Sequence, residues 1–166
     1  RIAEAGEAVG RSHAGYHALN SRRLEKAYRH GRHDITDEDS PLEAGLDFVI
    51  KFDKPGGFIG RDALLAQQEQ GVSRHLVQLK LYDPEPLIYH NEPIWRGNEI
   101  VGHVTSAAYG HTLAGAVGLG YVSAETGAPA DSVLGDDYEV EVACERFLAE
   151  VSLRPLYDPD NGKIRC

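Results

Sequence analysis

At 166 residues, the chain holds enough material for one ordinary domain, or for one small domain and part of another. An apolar share of 42% and a charged share of 26% match globular chains and exclude a disordered one. A formal charge of -9 repels phosphate backbones and argues against nucleic acid as a partner, and no run nears the ~18 apolar residues that a membrane helix needs.

The opening RIAEAGEAVG is helix-like, and Glu4 and Glu7 deny it the apolar core of a signal peptide. A start at Arg1, with no Met anywhere, reads as a fragment or a processed product. Residues 14–30 carry Ala14, His17 or Ala18, Leu24, Ala27 and Tyr28 at helical spacing, which predicts a helix with Ser12 as its cap and Gly31 at its end. The basic run Arg22, Arg23, Lys26, Arg29, Arg32 meets Asp34, Asp37, Glu38 and Asp39 at once. It reads as a solvated, salt-bridged face, with a polyanion-contacting patch as the rival reading. The Ser40-Pro41 step disfavours helix. Residues 46–52 (LDFVIKF) then predict a strand closed by KPGG, and 60–70 a second helix ended by Gly71.

Beyond Gly71 the apolar period falls to two. Val77, Leu79 and Leu81 share one face of a strand over 75–82. EPIWRGNEIVGHVTS predicts a hairpin turning at Arg96-Gly97-Asn98, and residues 116–123 a short buried strand. In the last hairpin Tyr138, Val140, Val142 and Cys144 alternate with acids, then Phe147, Ala149, Val151 and Leu153 alternate in turn. Many short strands with Gly-rich turns predict an antiparallel barrel or sandwich, with a boundary near 71–75.

Two cysteines are too few for a disulfide framework. Cys144 reads as a small buried residue and Cys166 as an exposed chain end, which suits a reducing compartment. The eight histidines lack HExxH or zinc-ligand spacing and read as ordinary surface or bonded residues. There is no GxSxG elbow, and the glycines of GAVGLG suit a tightly curved strand better than a dinucleotide loop. Asp136-Asp137 and the pair Asp158 and Asp160 around Pro159 read as turn acids rather than general acids or bases. Trp95, Tyr109 and Tyr157 are read as core rings, with stacking on a flat heterocycle as the rival.

Several segments, in order, resemble the glycine-cleavage T-protein family. They are Arg23-Leu24-Glu25 on a helix, the Ser40 to Leu46 segment SPLEAGL, the Phe58 to Leu64 helix start FIGRDAL, and GHVTSAAYGHTLAGAVGLGYV at 102–122. The ending RPLYDPDNGKIR is similar to the tail of the dimethylglycine and sarcosine dehydrogenase branch. The likeness spans about residues 12–165.

This resemblance implies an α+β part followed by an all-β part: residues 1–71 as the tail of a folate-binding domain, and 72–166 as a Greek-key or jelly-roll-like antiparallel barrel. It implies a tetrahydrofolate-dependent one-carbon transfer enzyme, with FAD confined to an upstream domain that oxidises an N-methyl amine. The partners implied are folate, a methylated amine and upstream domains of the same chain, in the bacterial cytoplasm or the mitochondrial matrix. No catalytic residue carries over, since the family's catalytic aspartate and its pterin-holding tyrosine and glutamate lie upstream of Arg1; these residues alone are expected to be inactive and free of flavin. A folate-contacting arginine of stand-alone T-proteins corresponds to Leu19, followed here by Asn20, and Tyr157 is a nearby candidate for the family's folate-reaching tyrosine. Arg23 and Glu25 are expected to bond within the protein. The rival readings are a non-catalytic structural or interaction barrel that has lost folate binding, and a stand-alone aminomethyltransferase.

Overall fold

In the computed structural model, residues 1–135 and 137–165 are described; the readings of Asp136 and Cys166 therefore lie outside the described residues. Three helices precede six strands. The helices are α1 (Ile2–Glu7), α2 (Tyr16–Glu25) and α3 (Arg61–Gln70), the last ended by Gly71 at φ 81 as its sequence predicts. The strands are β1 (Arg74–Leu81), β2 (Pro93–Arg96), β3 (Glu99–Gly110), β4 (Gly115–Ser123), β5 (Tyr138–Val142) and β6 (Glu145–Ser152).

All pairings are antiparallel and close a barrel in the order β1-β4-β3-β2-β5-β6. The meander β2-β3-β4 returns to lie beside β1, a Greek-key arrangement. Closure leaves no free sheet edge. Val77, Leu79, Leu81, Ile94, Val104, Val122 and Val140 fill the interior, and each is at most 1% exposed. The glycine-rich β4 runs where backbones come close. A Cβ on Gly120 would lie 2.7 Å from both the His103 carbonyl and Ile94 Cδ1, so the tight-strand reading of GAVGLG holds.

The outer face of the sheet is buried as well: α2 packs on β3 and β4, and its C-terminal end reaches Leu76 and Gln78 on β1. Ser21, Leu24 and Glu25 form the buried face of α2. Leu24 packs with Leu76, Leu119 and Tyr121 in a second core, a burial that stabilises the docking by about 1.5–3 kcal/mol. Gln78 on β1 donates to the Leu24 carbonyl at 2.6 Å and accepts from the Leu156 amide at 2.7 Å.

The helix predicted over 14–30 is shorter than its periodicity suggests. Gly15 rather than Ser12 precedes it, without a side-chain cap, and it stops at Glu25. The Ala27 amide bonds the Leu24 carbonyl (2.9 Å) and the Tyr28 amide bonds that of Arg23 (2.8 Å), with Ala27 left-handed at φ 51. This is a Schellman closure made without glycine, at a conformational cost of ~1 kcal/mol. Buried contacts of Glu25 and Lys26 hold it: Lys26 Nζ bonds the Asp158 carbonyl at 2.6 Å and Asn161 Oδ1 at 2.7 Å.

Two further expectations fail. Residues 46–52 are not a strand; Asp47–Val49 is a 3₁₀ turn with Phe48 76% and Val49 58% exposed. Its amides are spent locally, Val49 on Leu46 and Ile50 on Asp47, leaving nothing for a ladder. Nor is Cys144 buried. It forms, with Ala143, the two-residue turn between Val142 and Glu145, at φ 51 and 70, and is exposed. Two positive φ values mark a type I′ turn, which favours Asn-Gly. Cys144→Gly is therefore expected to raise stability by about 0.5–1 kcal/mol, seen as a higher urea midpoint.

Candidate functional site

The basic run is a solvated face only in part: Arg22, Arg32, Asp37 and Glu38 are exposed. Arg23, Lys26 and Arg29 turn inward, and Asp34 is fully buried. Asp34 Oδ2 accepts from Arg23 Nη1 (2.6 Å) and the His30 amide (2.7 Å), while Oδ1 accepts from Thr105 Oγ1 (2.6 Å) and Ser106 Oγ (2.5 Å). Consecutive strand residues normally face opposite sides. Here the β3–β4 register shifts between Val104 and Ser106, a bulge that turns both hydroxyls to one carboxylate. Tyr121 donates to the Asp34 carbonyl at 3.1 Å, and burial, with Asp39 nearby, pushes its phenol pKa well up.

The Arg23-Leu24-Glu25 and Ser40 to Leu46 motifs are accounted for by such contacts. Arg23 pairs with Asp34, Leu24 is core, and Glu25 accepts from the Thr112 amide (2.5 Å), the Leu113 amide (3.0 Å) and Thr112 Oγ1 (3.0 Å). Ser40 and Glu43 cap each other reciprocally, at 2.9 and 3.2 Å. Glu43 also accepts from Arg74 Nε at 3.0 Å. Burial alone would raise the Glu43 pKa, but the bonds from Arg74 and Ser40 outweigh it and hold it low. A depressed folded pKa stabilises above the unfolded value and is lost below it. Thermal stability is thus expected to fall as pH drops below about 4.3 toward the lower folded value, and Glu43→Gln should flatten that fall in a pH series of melting curves.

Above the Asp34 cluster lies a hollow of about 230 Å³ lined by Tyr16, Asn20, Arg23, His30, His33, Tyr89, His90, Thr105, Ser106 and Ala107. A second, of about 470 Å³, shares Asn20, Tyr89 and Ala107 and runs on past His17, Tyr109 and His111. Together they form one groove along the flank of α2. Its walls are phenol rings and imidazoles, and no carboxylate lines it among the described residues. His30 Nδ1 is buried there without a partner, and the His30 and His33 rings meet edge-on at 4.8 Å. No group of three or more His, Cys, Asp or Glu among the described residues could hold a metal. No helix among the described residues is long and apolar enough to cross a membrane.

The two residues singled out from sequence are not brought together. Leu19 is 62% exposed on α2, between the groove residues Tyr16 and Asn20. Tyr157 lies at the opposite end of the helix, where its amide bonds the Glu25 carbonyl (3.3 Å) and its ring lies under Lys163 Nζ (4.8 Å). Tyr109 does line the groove, packed edge-on against His111. Trp95 instead bonds Glu141 at 2.9 Å and stacks under Arg146. Asp158 and Asp160 serve turns and ion pairs, with Lys26 and Arg154 respectively. Sequence reasoning missed Tyr16, His30 and Tyr89, which converge only through the fold.

The family model described as the glycine cleavage T-protein C-terminal barrel domain matches residues 74–158, and that of the GCVT N-terminal domain matches 1–54. The chain is 43% identical over 162 residues to 4-methylaminobutanoate oxidase (formaldehyde-forming) of Paenarthrobacter nicotinovorans, covering 98% of this chain and 19% of that protein. It is 37% identical to mouse mitochondrial sarcosine dehydrogenase, over 99% of this chain and 18% of the relative. It is 36% identical to the mouse mitochondrial pyruvate dehydrogenase phosphatase regulatory subunit, over 93% and 19% respectively. The crystal structure of glycine cleavage system aminomethyltransferase T from Bartonella henselae matches with a TM-score of 0.79 and 26% identity, over 95% of this chain and 44% of that one. The chain thus spans about a fifth of the length of these curated relatives. All six strands fall inside the 74–158 match, and with that barrel in place the chain belongs to the glycine cleavage T-protein family.

Proposed function

We propose that this chain is the C-terminal part of a tetrahydrofolate-dependent one-carbon transfer enzyme, and that its α2 groove forms one wall of the folate site. The observation that carries this is the groove's chemistry: rings able to stack on a flat heterocycle, imidazoles suited to folate's carboxylates, and no acid among the lining residues to repel them. The unpartnered His30 Nδ1 offers a bond still to be made. Folate, when bound, supplies the nitrogen that accepts the one-carbon unit. The residues here would hold and orient it, so that proximity is their contribution. Leu19 remains a candidate contact beside Tyr16, and Tyr157 one at the far end of α2.

The whole protein is proposed to carry an upstream FAD domain that oxidises an N-methyl amine, as the names of the oxidase and sarcosine dehydrogenase relatives suggest. We take 1–71 as the tail of the folate domain and 72–166 as the barrel. Titrating the intact protein with tetrahydrofolate tests the reading. Micromolar binding supports it, and flavin absorbance or amine demethylation by these 166 residues alone would oppose it. A second reading, a non-catalytic interaction barrel, is favoured by the regulatory-subunit relative and by Leu19 in place of a folate-binding arginine. Absence of binding at millimolar folate selects it.

A further inference from the structure

We propose that a separate hollow, between Arg29 and His75 where the helical segment meets the barrel, binds a small organic carboxylate. It has a volume of about 390 Å³, near the lower end of small-molecule sites, and it shares no lining residue with the α2 groove.

Arg29 carries the argument. Its guanidinium is half-buried and donates only to backbone carbonyls: Nε to Ala44 at 3.1 Å, Nη1 to Ala27 at 3.1 Å and Nη2 to Gly45 at 3.5 Å. A guanidinium has five N–H groups, so one on each terminal nitrogen is left, the fork that grips a carboxylate. Burial lowers the Arg29 pKa, and the charges that offset this, at Tyr121 and Asp34, make no hydrogen bond to it. Cations drawn out of water are normally paired with an anion, and among the described residues this half-buried one is not. Gly45 permits the approach, for a Cβ there would lie 3.1 Å from Arg29 Nη2.

His75 adds a second, independent group. It is 7% exposed, lines the same hollow, and its Nε2 has no hydrogen-bond partner. Burial also holds its pKa down, so it meets a ligand as a neutral imidazole. Of the nearby acids, Glu43 is committed to Arg74 and Ser40, and Asp47 is exposed to screening water. The remaining wall includes Leu42, Leu76, Ala130 and Leu153. A cationic fork beside aliphatic side chains fits a carboxylate on a short hydrocarbon body, better than a bare phosphate.

The test is a butyrate titration of the intact protein, followed by calorimetry and by the NMR signal of the His75 Cε1–H. Saturable binding with a Kd of about 1 mM is expected, with a matched shift at His75 and no comparable response to inorganic phosphate at equal ionic strength. Arg29→Gln should weaken butyrate at least about ten-fold. Leu153→Trp, which fills the hollow without touching a charge, should abolish binding even if Arg29→Gln fails to fold. No saturation by about 50 mM butyrate, a phosphate response as strong, or undiminished binding by Leu153→Trp each overturns the proposal. Because the hollow is separate, failure here leaves the folate reading untouched.

Discussion

Replacing Asp34 with alanine is expected to destabilise the intact protein by about 3–5 kcal/mol, read as a fall in the urea midpoint. Asp34 is 0% exposed, and four donors converge on its two oxygens. Removing it takes the anionic partner from Arg23, whose side chain is 12% exposed and keeps only the neutral acceptors of Asn20 and Tyr28, and leaves an amide and two hydroxyls with a partner lost. The hydroxyls can rotate toward other acceptors; the guanidinium cannot. Asp34→Asn should therefore recover part of the loss, since its remaining oxygen can still face Arg23. In a double-mutant cycle, Ser106→Ala should cost less in the Asp34→Ala background than alone. A midpoint unchanged in Asp34→Ala would show that the cluster does not hold the helical segment to the barrel.

Glu25→Ala is expected to cost about 3 kcal/mol. Glu25 is 2% exposed, and its carboxylate closes the turn between β3 and β4 by accepting from two successive amides, Thr112 and Leu113. Without it those amides, on a turn where Thr112 is exposed and Leu113 half-buried, lose a charged acceptor and have only water to replace it. Hydrogen exchange gives the direct reading: both amides should lose protection in the variant while the β1–β4 ladder keeps its own. Glu25→Gln retains one carbonyl oxygen and should lose about half as much. Protection of Thr112 and Leu113 that survives Glu25→Ala would contradict the assignment.

The barrel was legible because its strands obey the local rule of alternation: Val77, Leu79 and Leu81 announce an inner face from sequence alone, and all are buried. What sits outside that rule was not legible. A bulge at Thr105 changes which way two hydroxyls point, yet nothing in GHVTS marks an unpaired residue. Asp34 looks like one more surface acid, because its partners come from helix, loop and strand and none is adjacent in sequence. Cys144 continues an alternating pattern past the point where the chain turns, so periodicity alone placed it inside. LDFVIKF has strand-like composition but finds no partner strand among the described residues. The groove is a product of the same long-range convergence, assembled from residues between Tyr16 and His111. The family motifs, by contrast, were visible at once, and Arg23 and Glu25 bond within the protein as expected; their partners, Asp34 and the Thr112–Leu113 turn, were not legible.

The claim that the α2 groove receives folate is tested most directly at Tyr89, whose ring belongs to both parts of the groove and is 64% exposed. An exposed ring can be removed without emptying the core, so Tyr89→Ala should fold as the parent does. Tetrahydrofolate affinity of the intact protein, measured by calorimetry, should then fall about ten-fold, the worth of one stacked ring. Equal affinity in the variant and the parent would place the ligand elsewhere.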